Sequence, residues 1–156
     1  MKYKLTRRVQ RITGLVNECF QIYYLTIHQL ADLKSYKNLI SFNLFHQLLV
    51  LRFHILFEKK GSHTIKALIN ETTKTDEIKL AIAEYNATIE HHSSLIEKIA
   101  NQRSEAVAHI DAFPKEKGGY TTNDIEVVLV AIDKLLNVLN KKPPFDKIDF
   151  FQKIRD

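Results

Sequence analysis

Residues 75–113 read TDEIKLAIAEYNATIEHHSSLIEKIANQRSEAVAHIDAF, and this stretch decides the fold. Stepping four and three residues in turn picks out Ile78, Ile82, Tyr85, Ile89, His92, Ile96, Ile99, Arg103, Ala106, Ile110 and Phe113. A mostly apolar seam with that step belongs to a helix packed along its length against neighbours. Thr75 offers an N-cap hydroxyl, and Asp76 and Glu77 put negative charge where the helix dipole favours it. Pro114 stops the run, because the residue before a proline avoids α geometry. The pattern predicts one long helix from Asp76 to about Ala112.

Arg103 stands at a seam position that asks for an apolar side chain, and His109 follows beside Ala106 and Ala108, small enough to admit another chain. A guanidinium buried without a partner is costly. Arg103 therefore marks either a site or an arginine that lays its stem on the core and its head in water. His91 and His92 are adjacent, so they point about 100° apart on a helix and do not share a ligand. They read as structural.

Outward from this stretch the chain repeats the same grammar. A first helix is expected over about Lys4 to Leu33, with Leu5, Val9, Ile12, Val16, Cys19, Tyr23, Ile27 and Leu30 as its stripe. Lys2, Lys4, Arg7, Arg8 and Arg11 crowd its start, as a solvated face or a phosphate-touching patch. A second helix, about Lys37 to Lys59, has almost no polar face: Leu39, Leu44, Phe45, Leu48, Leu49, Leu51, Ile55, Leu56 and Phe57 surround it. Such a helix is central or lies at a subunit contact. Arg52 sits within it, either paired internally or lining a pocket.

Gly61-Ser62 closes that helix and leads to a short one at about Thr64 to Asn70. Beyond Pro114, Lys115-Glu116-Lys117-Gly118-Gly119 reads as an exposed loop near His109. Asn123 and Glu126 have capping-box spacing before a helix over about Asp124 to Asn140. Its inward face is Ile125, Val128, Leu129, Ile132, Leu135, Leu136 and Leu139, and Val127, Val130 and Val138 form a second apolar stripe. After Pro143-Pro144, Phe145 to Arg155 reads as a short amphipathic helix whose Phe150, Phe151 and Ile154 can pack back on the bundle.

Composition sets the class. In 156 residues there are only 4 Gly and 3 Pro, so elements are few and long, and 45% hydrophobic with 26% charged residues suits one well-filled core. The expected architecture is all-α: an up-down helical bundle of four or five main helices plus short ones, one domain over residues 1–156. The lone Cys19 excludes an internal disulfide and lies on an apolar stripe, as a buried thiol would. The start of the chain lacks an uninterrupted apolar core, and Ile40 to Phe57 carries Asn43, His46, Gln47, Arg52 and His54. Both argue against a signal peptide or a spanning helix, and a soluble, cytoplasmic protein is expected. His46 and His54 lack the spacing of a metal site, so no metal or cofactor is expected. A net charge of +5 suits a polyanionic partner.

The segment Gln102-Arg103-Ser104-Glu105-Ala106-Val107-Ala108-His109-Ile110-Asp111 resembles the Arg-(four to six residues)-His motif of the HEPN superfamily, the higher eukaryotes and prokaryotes nucleotide-binding domain. It is most similar to the abortive-infection, AbiU-type branch, whose motif tends to read Arg-Asp/Asn-Lys-x-x-Ala-His-x-Asp. Leu49 to Lys60 and Ser62 to Ile69 resemble that branch's second helix and short third helix. Ser104 departs from the usual Asn, Asp or His and keeps a shorter polar side chain. The resemblance implies a HEPN-like bundle and a metal-independent endoribonuclease, a toxin or phage-defence effector acting as a homodimer and often accompanied by an antitoxin. Its catalytic residues would be Arg103 and His109, with Ser104 and Asp111 in support.

The residue types suit that chemistry. RNA carries its own nucleophile, the 2′-hydroxyl, so cleavage needs a group that titrates near neutrality and a cation on the phosphorane. Histidine supplies the first and arginine's planar fork the second. Six residues along a helix is about 9 Å of rise and roughly 120° of rotation, so one pair makes a thin site. In HEPN proteins, the resemblance implies, two chains bring both motifs into one cleft. Ser104 would bond a phosphate or orient the histidine. Asp111 would stabilise an imidazolium or counter local positive charge. A second reading keeps the bundle without the chemistry, as a non-catalytic module binding a nucleotide, RNA or a protein. A third makes it an assembly bundle in which Arg103 is incidental.

Overall fold

The computed structural model of the chain describes residues 2–30, 36–58, 61, 64–108 and 122–140. Among them the chain is all-α: α1 (Lys2–Leu30), α2 (Tyr36–Phe57), α3 (Ile65–Glu71), α4 (Asp76–His91), α5 (Ser93–Ala108) and α6 (Thr122–Asn140). The expected last helix at Phe145 to Arg155 and the loop at Lys115 to Gly119 lie outside the described residues.

α1 is the hub, packing on α2, α6 and α3. Val9, Ile12, Val16, Cys19 and Tyr23 are buried along the stripe its sequence predicts, and Phe20 and Ile22 widen it. A wider apolar arc is what a helix touching three others needs. α2 runs back along α1, buries Leu49, Val50, Phe53 and Leu56, and stacks the Phe53 and Phe57 rings at 5.0 Å. It is not covered all round, since Leu44, Leu48 and Leu51 remain exposed. Arg52 is paired internally, its Nε 3.3 Å from the Glu18 carboxylate of α1. Arg8 departs from the solvated basic face: it is buried against α3 and paired with Glu71.

The short α3 is set by its caps. Thr64 accepts from the Ala67 amide at 3.2 Å and donates to the Gly61 carbonyl at 3.3 Å. A Cβ on Gly61 would lie 2.8 Å from Thr64 Cγ2, so the close approach of this turn requires glycine. At the far end Thr72 Oγ1 donates to the Leu68 carbonyl at 2.8 Å. Thr75 then caps α4 as expected, accepting from the Ile78 amide at 3.4 Å.

One expectation is corrected here. The run from Asp76 is two helices, broken at His92, whose φ of −103° and ψ of 21° leave the α region. The amides of Leu95 and Ile96 both turn to the His92 carbonyl, at 3.1 and 3.3 Å, as the chain restarts. Ser93 and Ser94 follow the break, and serine favours helix starts over helix interiors. α4 packs on α6, whereas α5 packs on α2. The seam shifts with the bend, because Leu95, outside the expected seam, is buried while Ile96 is only partly so.

α6 buries Ile125, Val128, Leu129, Ile132, Leu135 and Leu136, with Leu139 partly covered, so its inward face matches the sequence reading. The capping box does not. The helix begins at Thr122, which puts Asn123 inside it, and the Glu126 carboxylate instead accepts the Tyr23 hydroxyl at 2.5 Å.

Candidate functional site

The predicted site begins with the anchoring of α5. Leu95 and Ile99, one turn apart, are buried as α5 packs on α2. Arg103 follows one further turn along, about 6 Å of rise beyond Ile99, and Ser104 is next to it. Both are in the helix. α5 ends at Ala108; His109 and Asp111 lie outside the described residues. The placement of α5 therefore extends to the arginine and not to the histidine or the aspartate.

A concave feature lies between α4 and α6. The Nδ1 of His92, at the end of α4, is 3.7 Å from Asp124 Oδ1 in the first turn of α6, so the two helices run antiparallel. Between them a groove of about 280 Å³ has a floor of Tyr85, Val130, Ala131 and Leu135. Glu84, Thr88, Glu126 and Lys134 stand on its margins. Ala81 and Ala131 open the seam by being small, and Val127 at its edge is 37% exposed. The second valine stripe, Val127, Val130 and Val138, lines this groove. That stripe was the sequence signal for it, but the polar margins belong to two helices that are not consecutive in the chain and carry no local pattern.

Burial controls the titrating groups the core takes in. It pushes the Cys19 thiol up to about 12, with Glu18 adding to the effect and Arg52 opposing it. Such a thiol is not a nucleophile near neutral pH. Burial raises the Tyr85 phenol as well, so on the groove floor this side chain is a neutral ring. It lowers His46 on α2. No group of three or more His, Cys, Asp or Glu is placed to hold a metal ion among the described residues. No helix among them is long and apolar enough to cross a membrane.

No protein-family model, no curated protein and no solved structure matches the chain.

Proposed function

We propose that this chain is a metal-independent endoribonuclease of HEPN type, a toxin or phage-defence effector that cuts RNA in the cytoplasm. The observation that carries the proposal is the Arg103-Ser104-Glu105-Ala106-Val107-Ala108-His109 spacing, which begins on a helix anchored by Leu95 and Ile99. Anchoring matters because a phosphate-binding arginine must keep its backbone fixed while charge builds on the phosphorane. The HEPN-like bundle, the homodimer and an antitoxin partner belong to the same proposal. Leu44, Leu48 and Leu51, exposed on the helix against which α5 packs, offer apolar surface for a second copy.

In this mechanism one His109 removes the proton from the ribose 2′-hydroxyl, and the oxygen attacks the adjacent phosphorus. The partner subunit's His109 gives a proton to the departing 5′-oxygen as the phosphorus–oxygen bond breaks. The Arg103 pair holds the phosphorane's negative charge, and the products carry a 2′,3′-cyclic phosphate and a 5′-hydroxyl. Asp111 would favour the charged imidazole, and Ser104 would bond a phosphate oxygen.

The test is incubation of the pure chain with RNA in EDTA and identification of the cut ends. Cyclic phosphate ends that vanish with His109→Ala and with Arg103→Ala are expected. RNA that binds and stays intact favours the non-catalytic module instead.

A further inference from the structure

We propose that the α4–α6 groove binds a small aromatic ammonium, its cation at Glu126 and its ring on Tyr85. The proposal is independent of the nuclease reading. It rests on the size of the groove, the character of its floor and the place of its charges. A groove of about 280 Å³ holds the volume of about nine water molecules at ~30 Å³ each. That is room for one ring with a short arm and too little for a docked helix. The floor is apolar, and Ala81 and Ala131 open it from opposite walls. Tyr85 lines it with a ring that burial fixes in place and keeps neutral. An aromatic ligand can stack on that ring offset or edge-on.

Charge places the cation. The His92–Asp124 contact sets the levels of the two antiparallel helices. Glu84 is eight residues before His92 and Lys134 ten after Asp124, so these two stand level at one end of the groove. Thr88 and Glu126, four and two residues from the same contact, stand level toward the other. Of the three charged side chains that line the groove, Lys134 therefore offsets Glu84, and Glu126 faces no cation of the lining. Its Oε2 accepts the Tyr23 hydroxyl at 2.5 Å, so the carboxylate is oriented before a ligand arrives. Thr88 Oγ1 donates to the Glu84 carbonyl at 3.1 Å, which leaves its lone pairs to accept from an ammonium. Val130 and Tyr85 follow about 6 Å further along the groove, where the ring of such a ligand would lie.

The test titrates the full, isotope-labelled chain with phenethylamine, with its neutral isostere 2-phenylethanol and with ethylamine, following backbone amide shifts. Phenethylamine should shift the amides around Tyr85 and Val130 saturably, binding about tenfold more tightly than 2-phenylethanol. Ethylamine, which lacks the ring, should not saturate there. Glu126→Gln should bring the amine and the alcohol to the same affinity, while Glu84→Gln should leave the preference standing. Ala131→Leu fills the floor and should abolish binding of both, with buried Cys19 still unreactive to thiol reagents as the check on folding. If Ala131→Leu exposes Cys19, Ala81→Leu blocks the groove from the other wall and the same outcomes decide. Equal affinity of the parent chain for amine and alcohol would overturn the proposal. So would amide shifts spread over the surface instead of gathered at the groove. Loss of the preference in Glu84→Gln and not in Glu126→Gln would put the cation at the other end and overturn the assignment.

Discussion

α4 and α5 come from one continuous, mostly apolar repeat, yet they serve different neighbours. α4 lies on α6 and leaves an open groove, while α5 crosses to α2 and carries the arginine of the proposed site. The contrast shows what a heptad-like seam encodes. It says that a face is covered, not what covers it or whether the same neighbour does so throughout. The bend at His92 lets a single run of sequence close two seams of the bundle, with the His92 and Asp124 side chains facing each other where the paths divide.

The sharpest way to break this comparison is to empty each half in turn. Tyr85→Ala on α4 and Ile99→Ala on α5 each remove a buried side chain, 7% and 1% exposed, and should each cost about 3 kcal/mol in urea unfolding. If the halves serve separate neighbours, the losses add to within about 0.5 kcal/mol. Ile99→Val can close the cycle if the pair exhausts the stability of the domain. Strong coupling would return the two to a single rigid helix.

A smaller effect tests the end of the bundle where the halves part. Tyr23→Phe removes the hydroxyl that α1 donates to Glu126 of α6 and should cost about 1.5 kcal/mol, since the acceptor is a charged carboxylate. α4 shares α6 as its support, so its amides should exchange faster in this variant than those of α5.

Smaller again is a pH effect on α2, the support of α5. Burial lowers His46 from its ordinary 6.5, so the unfolded chain takes up its proton at higher pH than the folded one. Its contribution to stability is complete above 6.5 and declines as pH falls from there toward the lower folded value. His46→Gln should flatten that part of the stability–pH curve. The smallest effect expected is Lys79→Ala, which breaks an exposed pair with Asp76 and should leave the melting temperature unchanged.

How much was legible depended on the range of the interaction. Thr75 as a cap, the inward face of α6 and the α1 stripe could be read because each rests on neighbours within a turn or two. The Glu126 misreading shows the opposite case. Its spacing to Asn123 looked like a local cap, but a tyrosine 103 residues away holds the carboxylate. Arg8 likewise looked like one more cation in a basic cluster until the fold brought Glu71 to it. At the candidate site the spacing of Arg103 and the place of Ile99 on the seam could be argued from sequence, but the burial of Leu95 and the packing of α5 on α2 could not. Under the proposed function the company those residues keep would depend on a second chain, which no intrachain pattern specifies.

Bringing two motifs together around one phosphate is therefore the claim to measure. Asn101 is exposed on α5 two residues before Arg103, so Asn101→Cys carries a spin label without entering the core, and buried Cys19 stays unlabelled. Pulsed distance measurements on this full chain, at a concentration where it cuts RNA, should give one short, narrow intermolecular distance. Cutting with no intermolecular coupling, or with the two labels at opposite ends of a dimer, would contradict a shared cleft.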